Sequence, residues 1–431
     1  MNYTTTMLKL LEHSYSAFHV VKNLEGLLLD QGYEKLDEKK KWILKPNSKY
    51  FVERNQSSLI SFRTPLKTNF IFQVTASHTD SPTFKLKPNP ILLRGKCMML
   101  DVEPYGGAIY NTWLDRPLSI AGRVIVSNNG KADSYLLAPE EDLCVIPNLA
   151  IHMNRTINTD GKYNPAIDML PILGASDEKF DFHKYLLSKL ALTRGQVLSH
   201  DLFLYSREKP TIVGKDQDML LSPRLDDLAS CYSSLFGYLE AKKNKSIDIY
   251  ASFDNEEVGS LTKQGANSTF LRDTLHRIIY GLGGSEEDYY LAISRGALIS
   301  IDNAHANHPN HPEISDPTTD VSLNGGIVIK YNANQSYTSD SFSSSLVKTL
   351  CQKNNLTYQE FTNRSDLRGG STLGNLSNSE VSFTSVDIGL AQLAMHSSNE
   401  LMGLKDIKDM VTLIKAFYSS DYTAVENGFS I

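Results

Sequence analysis

The chain has 431 residues, of which 41% are hydrophobic and 21% charged, and its formal net charge is −6. This composition is typical of a globular protein with more than one domain, and the acidic balance argues against nucleic-acid binding. The sequence has no run of about 20 apolar residues for a membrane span, and its N-terminus lacks a secretory apolar core. The four cysteines are scattered, which fits a reducing compartment, so we expect a cytoplasmic protein.

Helical periodicity over residues 5–36 opens the chain, and strand-like alternation follows over residues 42–62. The apolar run 70–76 predicts a buried strand that leads to His78 and Asp80. His78 can ligate a metal through one ring nitrogen, and Asp80 is placed to hold the orientation of that ring. A His-x-Asp sequence is common, however, and by itself is more often not a site.

The stretch from residue 91 to residue 221 contains no candidate ligand, whereas candidates occur on both sides of it. We therefore predict that residues 91–221 are an insertion, and their Ile- and Val-rich segments favour β structure. Residues 1–90 and 222–431 would form an α/β catalytic domain with a central mixed sheet flanked by helices, closed by a helix over residues 404–418.

Two adjacent acidic pairs follow the insertion. Asp226 and Asp227 precede an amphipathic helical pattern, where carboxylates ordinarily cap the helix, although one could bridge two metal ions. Glu256 and Glu257 follow an apolar run that predicts a buried strand. Like charges at a partly buried strand end repel each other unless a cation compensates them, so a divalent metal is one interpretation and a solvated acidic turn is the other.

The last candidate ligands are Asp302 and His396. Asp302 ends the apolar run 297–301, and three histidines follow it in a Pro-rich loop. Such a loop presents histidines irregularly, so we prefer Asp302 as the ligand. His396 follows a further predicted strand and a turn, a position in which a lone histidine is more often structural. Residues 369–372 favour a loop of backbone donors around a substrate.

Together these strand ends offer two histidines, three ligand carboxylates and one further glutamate, which match the needs of a two-metal hydrolase. Oxygen and imidazole ligands without thiolates suit zinc, manganese or cobalt. Glu256 would then take a proton from the activated water and return it to the leaving amine, provided that Glu257 rather than Glu256 binds metal.

Five segments resemble the aspartyl aminopeptidase family of dinuclear zinc exopeptidases, and the resemblance extends over nearly the whole chain. These segments are residues 77–82, 222–226, 254–260, 302–310 and 391–397. Their combined order and spacing are far more specific than any one of them.

The resemblance implies a set of ligands for two divalent ions per subunit, Zn²⁺ in the family's pattern. These ligands are His78, Asp226, Glu257, Asp302 and His396. The resemblance also implies that Asp226 bridges the ions, that Glu256 is the general base and that Asp80 orients His78. Asp227 stands where many relatives have Asn, so either aspartate of that pair could bridge.

Substrate recognition is implied by the resemblance at three positions. Lys330 and Tyr337 are similar to residues that line the pocket for the first side chain, and an ammonium there would favour Asp or Glu. His152 resembles a histidine that reaches into a neighbouring subunit's site. Without the resemblance, Lys330 could equally be a solvated strand-end lysine and His152 a packed loop residue.

Assembly is likewise implied by the resemblance. Relatives use the insertion, which would start near residues 105–116, as a β-rich dimerisation domain, and they pack six dimers into a dodecamer with enclosed sites. We therefore expect a homododecamer that acts on peptides and has no nucleic-acid or membrane partner.

Other functions are compatible with the same motifs. The protein could be a member of this family that prefers neutral or apolar N-terminal residues, or a related dinuclear amidase or deacylase. It could also be an inactive assembly or cargo-binding homologue. The intact set of candidate ligands and Glu256 favours an enzyme.

Overall fold

The computed structural model describes residues 2–67, 69–175, 179–242, 245–367 and 369–431. Its helices are α1 (Tyr3–Glu12), α2 (Ala17–Asp30), α3 (Ile157–Asp160), α4 (Pro165–Asp168), α5 (Phe182–Lys189), α6 (Leu225–Glu240), α7 (Phe270–Gly281), α8 (Glu286–Arg295), α9 (Ser341–Lys353), α10 (Leu373–Glu380) and α11 (Leu404–Ser419). Helix α11 confirms the predicted closing helix. Among the described residues, none of the helices has the length and apolar character to cross a bilayer.

The strands alternate with these helices along the chain. They are β1 (Glu34–Leu36), β2 (Lys49–Arg54), β3 (Ser58–Arg63), β4 (Phe72–His78), β5 (Thr83–Arg94), β6 (Cys97–Tyr105), β7 (Leu118–Asn128), β8 (Lys131–Leu137), β9 (Ile172–Gly174), β10 (Gln196–Ser206), β11 (Thr211–Val213), β12 (Met219–Ser222), β13 (Ile247–Phe253), β14 (Ala297–Ile301), β15 (Ala304–His305), β16 (Ile327–Tyr331), β17 (Tyr358–Thr362), β18 (Thr384–Gly389), β19 (Ala391–Leu393), β20 (Glu400–Gly403), β21 (Thr423–Val425) and β22 (Gly428–Ser430).

A mixed sheet of nine strands forms the centre of the described structure, in the order β1-β2-β3-β13-β4-β14-β18-β16-β17. Its middle strands, β13, β4, β14 and β18, are mutually parallel, whereas β3 runs antiparallel to β13 and β16 runs antiparallel to β18. Apolar side chains on the two faces pack against different helices, α6 and α11 among them on one face and α7 and α8 on the other. The predicted α/β fold with a central mixed sheet flanked by helices is confirmed.

The expectation of continuous helical structure over residues 5–36 is wrong in two places. Residues 13–16 separate α1 from α2, and Glu34–Leu36 is a strand rather than helix. Gly32 adopts a left-handed backbone with φ of 76°, which ends the helical segment. The residues after it pair in parallel with β2, so the sheet rather than local periodicity determines their conformation.

A second sheet, of six described strands in the order β8-β7-β10-β5-β6-β9, is built from residues between Thr83 and Ser206. It has its own cluster of buried apolar side chains, which includes Phe84, Ile120 and Leu202. This region is the β-rich part expected between residues 91 and 221, although β5 begins before residue 91 and β12 pairs with β20 in a third sheet. The exact domain limits and the dimerisation role stay predictions.

Candidate metal centre

The central part of the predicted site lies where three adjacent parallel strands end. His78 is the last residue of β4 and pairs with Phe253, the last residue of β13. The turn after β13 carries Glu256 and Glu257, and Asp302 follows β14. Because the carboxyl ends of parallel strands meet at one edge of a sheet, these side chains converge.

Two segments from outside that sheet complete the cluster. Asp226 and Asp227 have non-helical backbone angles and precede the regular part of α6. His396 lies between β19 and β20 and takes a left-handed backbone with φ of 67°. The carboxylate of Glu400 joins the two segments, because it accepts hydrogen bonds from the N–H of Asp226 at 2.9 Å and of His396 at 2.6 Å.

Asp226 lies between two groups of ligand atoms. Its Oδ1 is 3.6 Å from His78 Nε2, and Asp302 Oδ1 is 3.7 Å from the same nitrogen. Its Oδ2 is 3.4 Å from His396 Nε2, and Glu257 Oε2 is 3.5 Å from that nitrogen. Two ligand atoms that share a tetrahedral zinc ion lie about 3.4 Å apart, given bonds of about 2.1 Å. The five predicted ligands are therefore brought together as two groups that have Asp226 in common.

The charges and hydrogen bonds of the cluster fit bound cations. Asp226 Oδ1 is buried and has no hydrogen-bond partner among the described residues, although it faces His78. Burial raises the pKa of the Glu257 carboxyl well above its usual range, and the negative charge of Asp226 adds to that effect. A bound divalent cation would give the Asp226 oxygen a partner and would stabilise the ionised form of Glu257. Nitrogen and oxygen donors without sulfur suit zinc. The residues present thus fit the metal.

Asp227 is a neighbour of the first group. Its Oδ2 accepts a hydrogen bond from the His78 N–H at 3.1 Å, while its Oδ1 is buried without a partner among the residues described. One of its oxygens lies within 4.8 Å of ligand atoms of His78, Asp226 and Asp302. Only Asp226 also takes part in the group with His396, so the geometry favours Asp226 over Asp227 as the bridging residue.

Asp80 holds the loop that carries the two glutamates. Its Oδ1 accepts a hydrogen bond from the Glu256 N–H at 3.1 Å, and its Oδ2 accepts one from the Glu257 N–H at 3.2 Å. His78 Nδ1 is 3.1 Å from the Asp80 carbonyl oxygen and 3.4 Å from its Oδ1. The His78 ring nitrogen is therefore closer to the backbone carbonyl of Asp80 than to its carboxylate, and both groups can orient the ring.

The predicted substrate residues divide into two sets. Lys330 and Tyr337 line a cavity of about 410 Å³ that also contains the metal cluster, as do Gly370 and Ser371 of the predicted substrate loop. Lys330 is only 2% exposed, so it is not a solvated strand-end lysine. Its ammonium donates to the carbonyl oxygens of Asp302 at 2.8 Å and Asn303 at 3.2 Å.

His152 is not part of this cavity within the subunit. It lies in a turn that precedes α3, and its side chain is exposed. It does not belong to the residues that line the 410 Å³ cavity. Any role in the site would have to be played in a neighbouring subunit, as the resemblance implies.

Several residues that contact the site were not found from the sequence. Glu400 is 1% exposed and offered no signal beyond an isolated acidic residue near His396. Tyr105, at the end of β6, donates a hydrogen bond to Asp80 Oδ2 at 2.8 Å. The Gly106–Gly107 pair after it was a usable signal, since glycines after a strand often mark a close backbone approach.

Those glycines lie against the ligands of the second group. A Cβ atom added at Gly106 would be 3.1 Å from Glu257 Cβ, and one at Gly107 would be 3.5 Å from His396 Nδ1. The Gly107 carbonyl oxygen is 3.2 Å from that nitrogen. The described strands of the six-stranded sheet supply none of the five candidate ligands, but β6 leads directly to the candidate metal centre.

Comparison with known proteins agrees with this fold. The family model described as Aminopeptidase I zinc metalloprotease (M18) matches residues 10–418. The chain therefore belongs to the M18 family of zinc metallo-aminopeptidases. It is 42% identical over 430 residues to the probable M18 family aminopeptidase 2 of Clostridium acetobutylicum, covering 97% of this chain and 99% of that protein.

Solved structures show the same fold. The chain is similar to a protein in the cryo-EM structure of the Ape4 and Nbr1 complex, with a TM-score of 0.92, 32% identity and coverage of 97% of this chain and 85% of that one. It is also similar in fold to the mApe1 dodecamer of S. cerevisiae, with a TM-score of 0.84, 24% identity and coverage of 97% and 96%.

Proposed function

We propose that the protein uses two divalent metal ions, zinc in the first instance, to hydrolyse the N-terminal residue, preferably Asp or Glu, from peptides. The observation that carries the proposal is the position of Asp226. Its two carboxylate oxygens face two different groups of ligand atoms, at 3.6 Å from His78 and at 3.4 Å from His396. A single carboxylate placed in this way is the arrangement of a two-metal site.

In this proposal each of the two groups would hold one ion, and Asp226 belongs to both groups. The first group adds His78 and Asp302, and the second adds Glu257 and His396. Metal ions in these positions supply Lewis-acid polarisation of the peptide carbonyl and a lower pKa of the attacking water.

Glu256 is proposed as the general base. An oxygen of its carboxylate lies within 4.8 Å of ligand atoms of His78 and Glu257, and its side chain lines the metal-site cavity. The hydrogen bond from its N–H to Asp80 fixes its backbone beside the cluster. Glu256 would accept a proton from the water as oxygen bonds to the carbonyl carbon, and would return it to the amine nitrogen as the C–N bond breaks.

The test of this function combines metal analysis with a Glu256→Gln variant. Purified enzyme is expected to contain about two zinc ions per chain and to release N-terminal residues from free-amine peptides but not from N-acylated amino acids. Glu256→Gln should keep its metal and lose turnover by about 10²–10⁴-fold, the usual effect of a lost general base. Glu287→Gln, at an exposed helical glutamate, is the matched control. Turnover of N-acylated substrates, or a Glu256→Gln enzyme of normal activity, would refute the proposal.

The acidic preference depends on Lys330. Its ammonium is buried in the cavity 5.2 Å from the centre of the Tyr337 ring, a setting in which a substrate carboxylate would be attracted strongly. Lys330→Met should therefore reduce cleavage of Glu-peptides far more than that of Leu-peptides. The ratio of the two rates is the readout, because any loss of metal lowers both rates together. An unchanged ratio would contradict the assignment.

One observation favours a second candidate, an M18 aminopeptidase that prefers neutral N-terminal residues. The Lys330 ammonium has three donors, and three oxygens already surround it: the two carbonyl oxygens of Asp302 and Asn303, and Asp302 Oδ2 at 3.3 Å. If these contacts persist with substrate bound, no donor remains for an acidic side chain. The wild-type enzyme would then cleave Leu-peptides at least as fast as Glu-peptides.

We further propose that residues 91–221 form a dimerisation domain, that six dimers assemble into a dodecamer and that the enzyme acts in the cytoplasm. The fold similarity to the mApe1 dodecamer and the exposure of His152 support the proposed assembly. Sedimentation velocity would test it. An active monomer would refute both the dodecamer and any role for His152 in a neighbouring site.

A further inference from the structure

A second cavity, of about 440 Å³, shares no lining residue with the metal-site cavity. Its walls come from three parts of the molecule. The segment between α1 and α2 supplies Tyr15, the six-stranded sheet supplies Phe203, and the chain beside the metal ligands supplies Asp80, Arg224 and Glu400. The volume is in the range of small-molecule sites, which is about 300–1,000 Å³.

Arg224 lines this cavity and forms no ion pair with a carboxylate within the described part of the chain. Its Nη2 donates to the Leu11 carbonyl oxygen at 3.2 Å, and its buried Nε has no hydrogen-bond partner among the described residues. In contrast, Lys85 and Arg123 each have a carboxylate partner, because Asp201 accepts hydrogen bonds from Lys85 at 3.0 Å and from Arg123 at 2.8 Å. A guanidinium that lines a cavity and has no paired carboxylate is suited to bind a planar carboxylate.

The same cavity also presents carboxylates and aromatic rings. Glu400 and Asp254 line it together with Arg224, so both signs of charge occur within one space. The rings of Tyr15 and Tyr205 lie 4.8 Å apart, centre to centre, and provide apolar surface beside them. A ligand that matches all three features carries one carboxylate, one ammonium and an apolar body.

We propose that this cavity binds a free amino acid with an apolar side chain, its carboxylate on Arg224 and its ammonium towards Glu400. Free amino acids are the product of every aminopeptidase, so the ligand is made by the enzyme itself. The inference rests on the aminopeptidase activity of the family and not on the N-terminal residue preferred.

Occupancy of this cavity would change the metal centre through residues that touch both. Glu400 lines the cavity and accepts the hydrogen bonds from the backbone N–H groups of Asp226 and His396. Asp80 lines it too, and its carboxylate holds the backbone of Glu256 and of Glu257. An ammonium beside Glu400 competes with the N–H groups for its oxygens, so binding shifts the metal ligands and lowers kcat.

Steady-state kinetics on the metal-loaded, assembled enzyme test this inference. L-Leucine is expected to lower kcat by about fivefold at saturation, in addition to raising KM by competition at the metal site. Leucinamide, which lacks the carboxylate, and 4-methylpentanoate, which lacks the ammonium, should leave kcat unchanged. An effect of L-leucine on KM alone, or an equal effect of leucinamide on kcat, would overturn the proposal.

Two variants assign the effect to the cavity. Arg224→Met removes the guanidinium, and Ala17→Trp fills the space from α2 without removing a charge. Both should abolish the effect of L-leucine on kcat and keep its effect on KM, while Arg94→Met, at an exposed arginine outside the lining, should behave as the wild type. If Arg224→Met does not fold, Ala17→Trp alone decides. A persistent fall in kcat in a folded cavity variant would refute the site.

Discussion

The replacement of Glu400 by glutamine tests how the metal centre is held together. Glu400 is 1% exposed, and its two oxygens accept hydrogen bonds from Asp226 N–H at 2.9 Å and His396 N–H at 2.6 Å. A glutamine side chain has one carbonyl oxygen and one NH₂ group. One of the two N–H groups would therefore face a donor instead of an acceptor, and the segment that carries it would move.

The expected size follows from the two hydrogen bonds. A hydrogen bond to a charged group contributes about 1.5–3 kcal/mol, and a buried donor left without a partner costs about 1–3 kcal/mol. Glu400→Gln should therefore lower the free energy of unfolding by about 2–4 kcal/mol. Loss of a partner that orients a metal ligand typically reduces metal affinity by about 10–100-fold, and we expect a loss of that size here.

Asp406→Asn provides a matched control. Asp406 is also fully buried, and its carboxylate accepts two backbone hydrogen bonds, from Asn324 at 2.7 Å and Gly326 at 2.8 Å. It does not line the metal-site cavity. Zinc content is measured against a series of chelator-buffered free zinc concentrations, with urea unfolding in parallel. If both variants lose stability and keep equal zinc affinity, the proposed function of Glu400 is wrong.

Two further predictions concern a glycine and a histidine. Gly106→Ala should lower kcat/KM, because its Cβ would lie 3.1 Å from Glu257 Cβ. The control is Gly130→Ala, which has a similar φ of 79° and open space around it and should lose only stability. Equal kcat/KM in the two variants would contradict this prediction. Burial, reinforced by the charge of Arg224, lowers the pKa of His19 from 6.5 to about 4. The unfolded chain then binds more protons than the folded one between these values, so stability falls as the pH drops from 6.5 to 4. His19→Gln should flatten this part of the pH dependence of urea unfolding, and an unchanged slope would contradict the assignment.

The candidate ligands on the central sheet could be predicted because local sequence determines their position. Apolar runs predicted β4, β13 and β14, and the strand ends then placed His78, Glu257 and Asp302 at one edge. This argument needs only the parallel arrangement of neighbouring strands. The closing helix α11 was predicted separately, from apolar residues that recur at helical spacing over residues 404–418.

The contacts that hold these ligands could not be predicted in this way. Glu400 acts through backbone N–H groups of residues that are distant in sequence or lie in an irregular loop, and an isolated glutamate carries no sign of such a role. The approach of Gly106 to Glu257 depends on how the six-stranded sheet lies against the central one. Hydrophobic periodicity fixes which residues form a sheet, but it does not fix how two sheets meet.

The two ligand groups consequently differ in how firmly the protein holds them. His78 belongs to a strand in the middle of the sheet and its side chain is 1% exposed, whereas His396 lies on a loop and its side chain is 31% exposed. The backbone N–H of His396 is fixed by Glu400, and its ring nitrogen contacts the Gly107 carbonyl oxygen from the six-stranded sheet. Glu400→Gln disturbs Asp226, which both groups share, and also His396, which belongs to the second group alone. The zinc lost from this variant should therefore come from the group with His396 first. A zinc titration of Glu400→Gln should then show one equivalent bound with unchanged affinity and a second bound with reduced affinity. Equal loss of affinity for both equivalents would contradict the difference between the two groups.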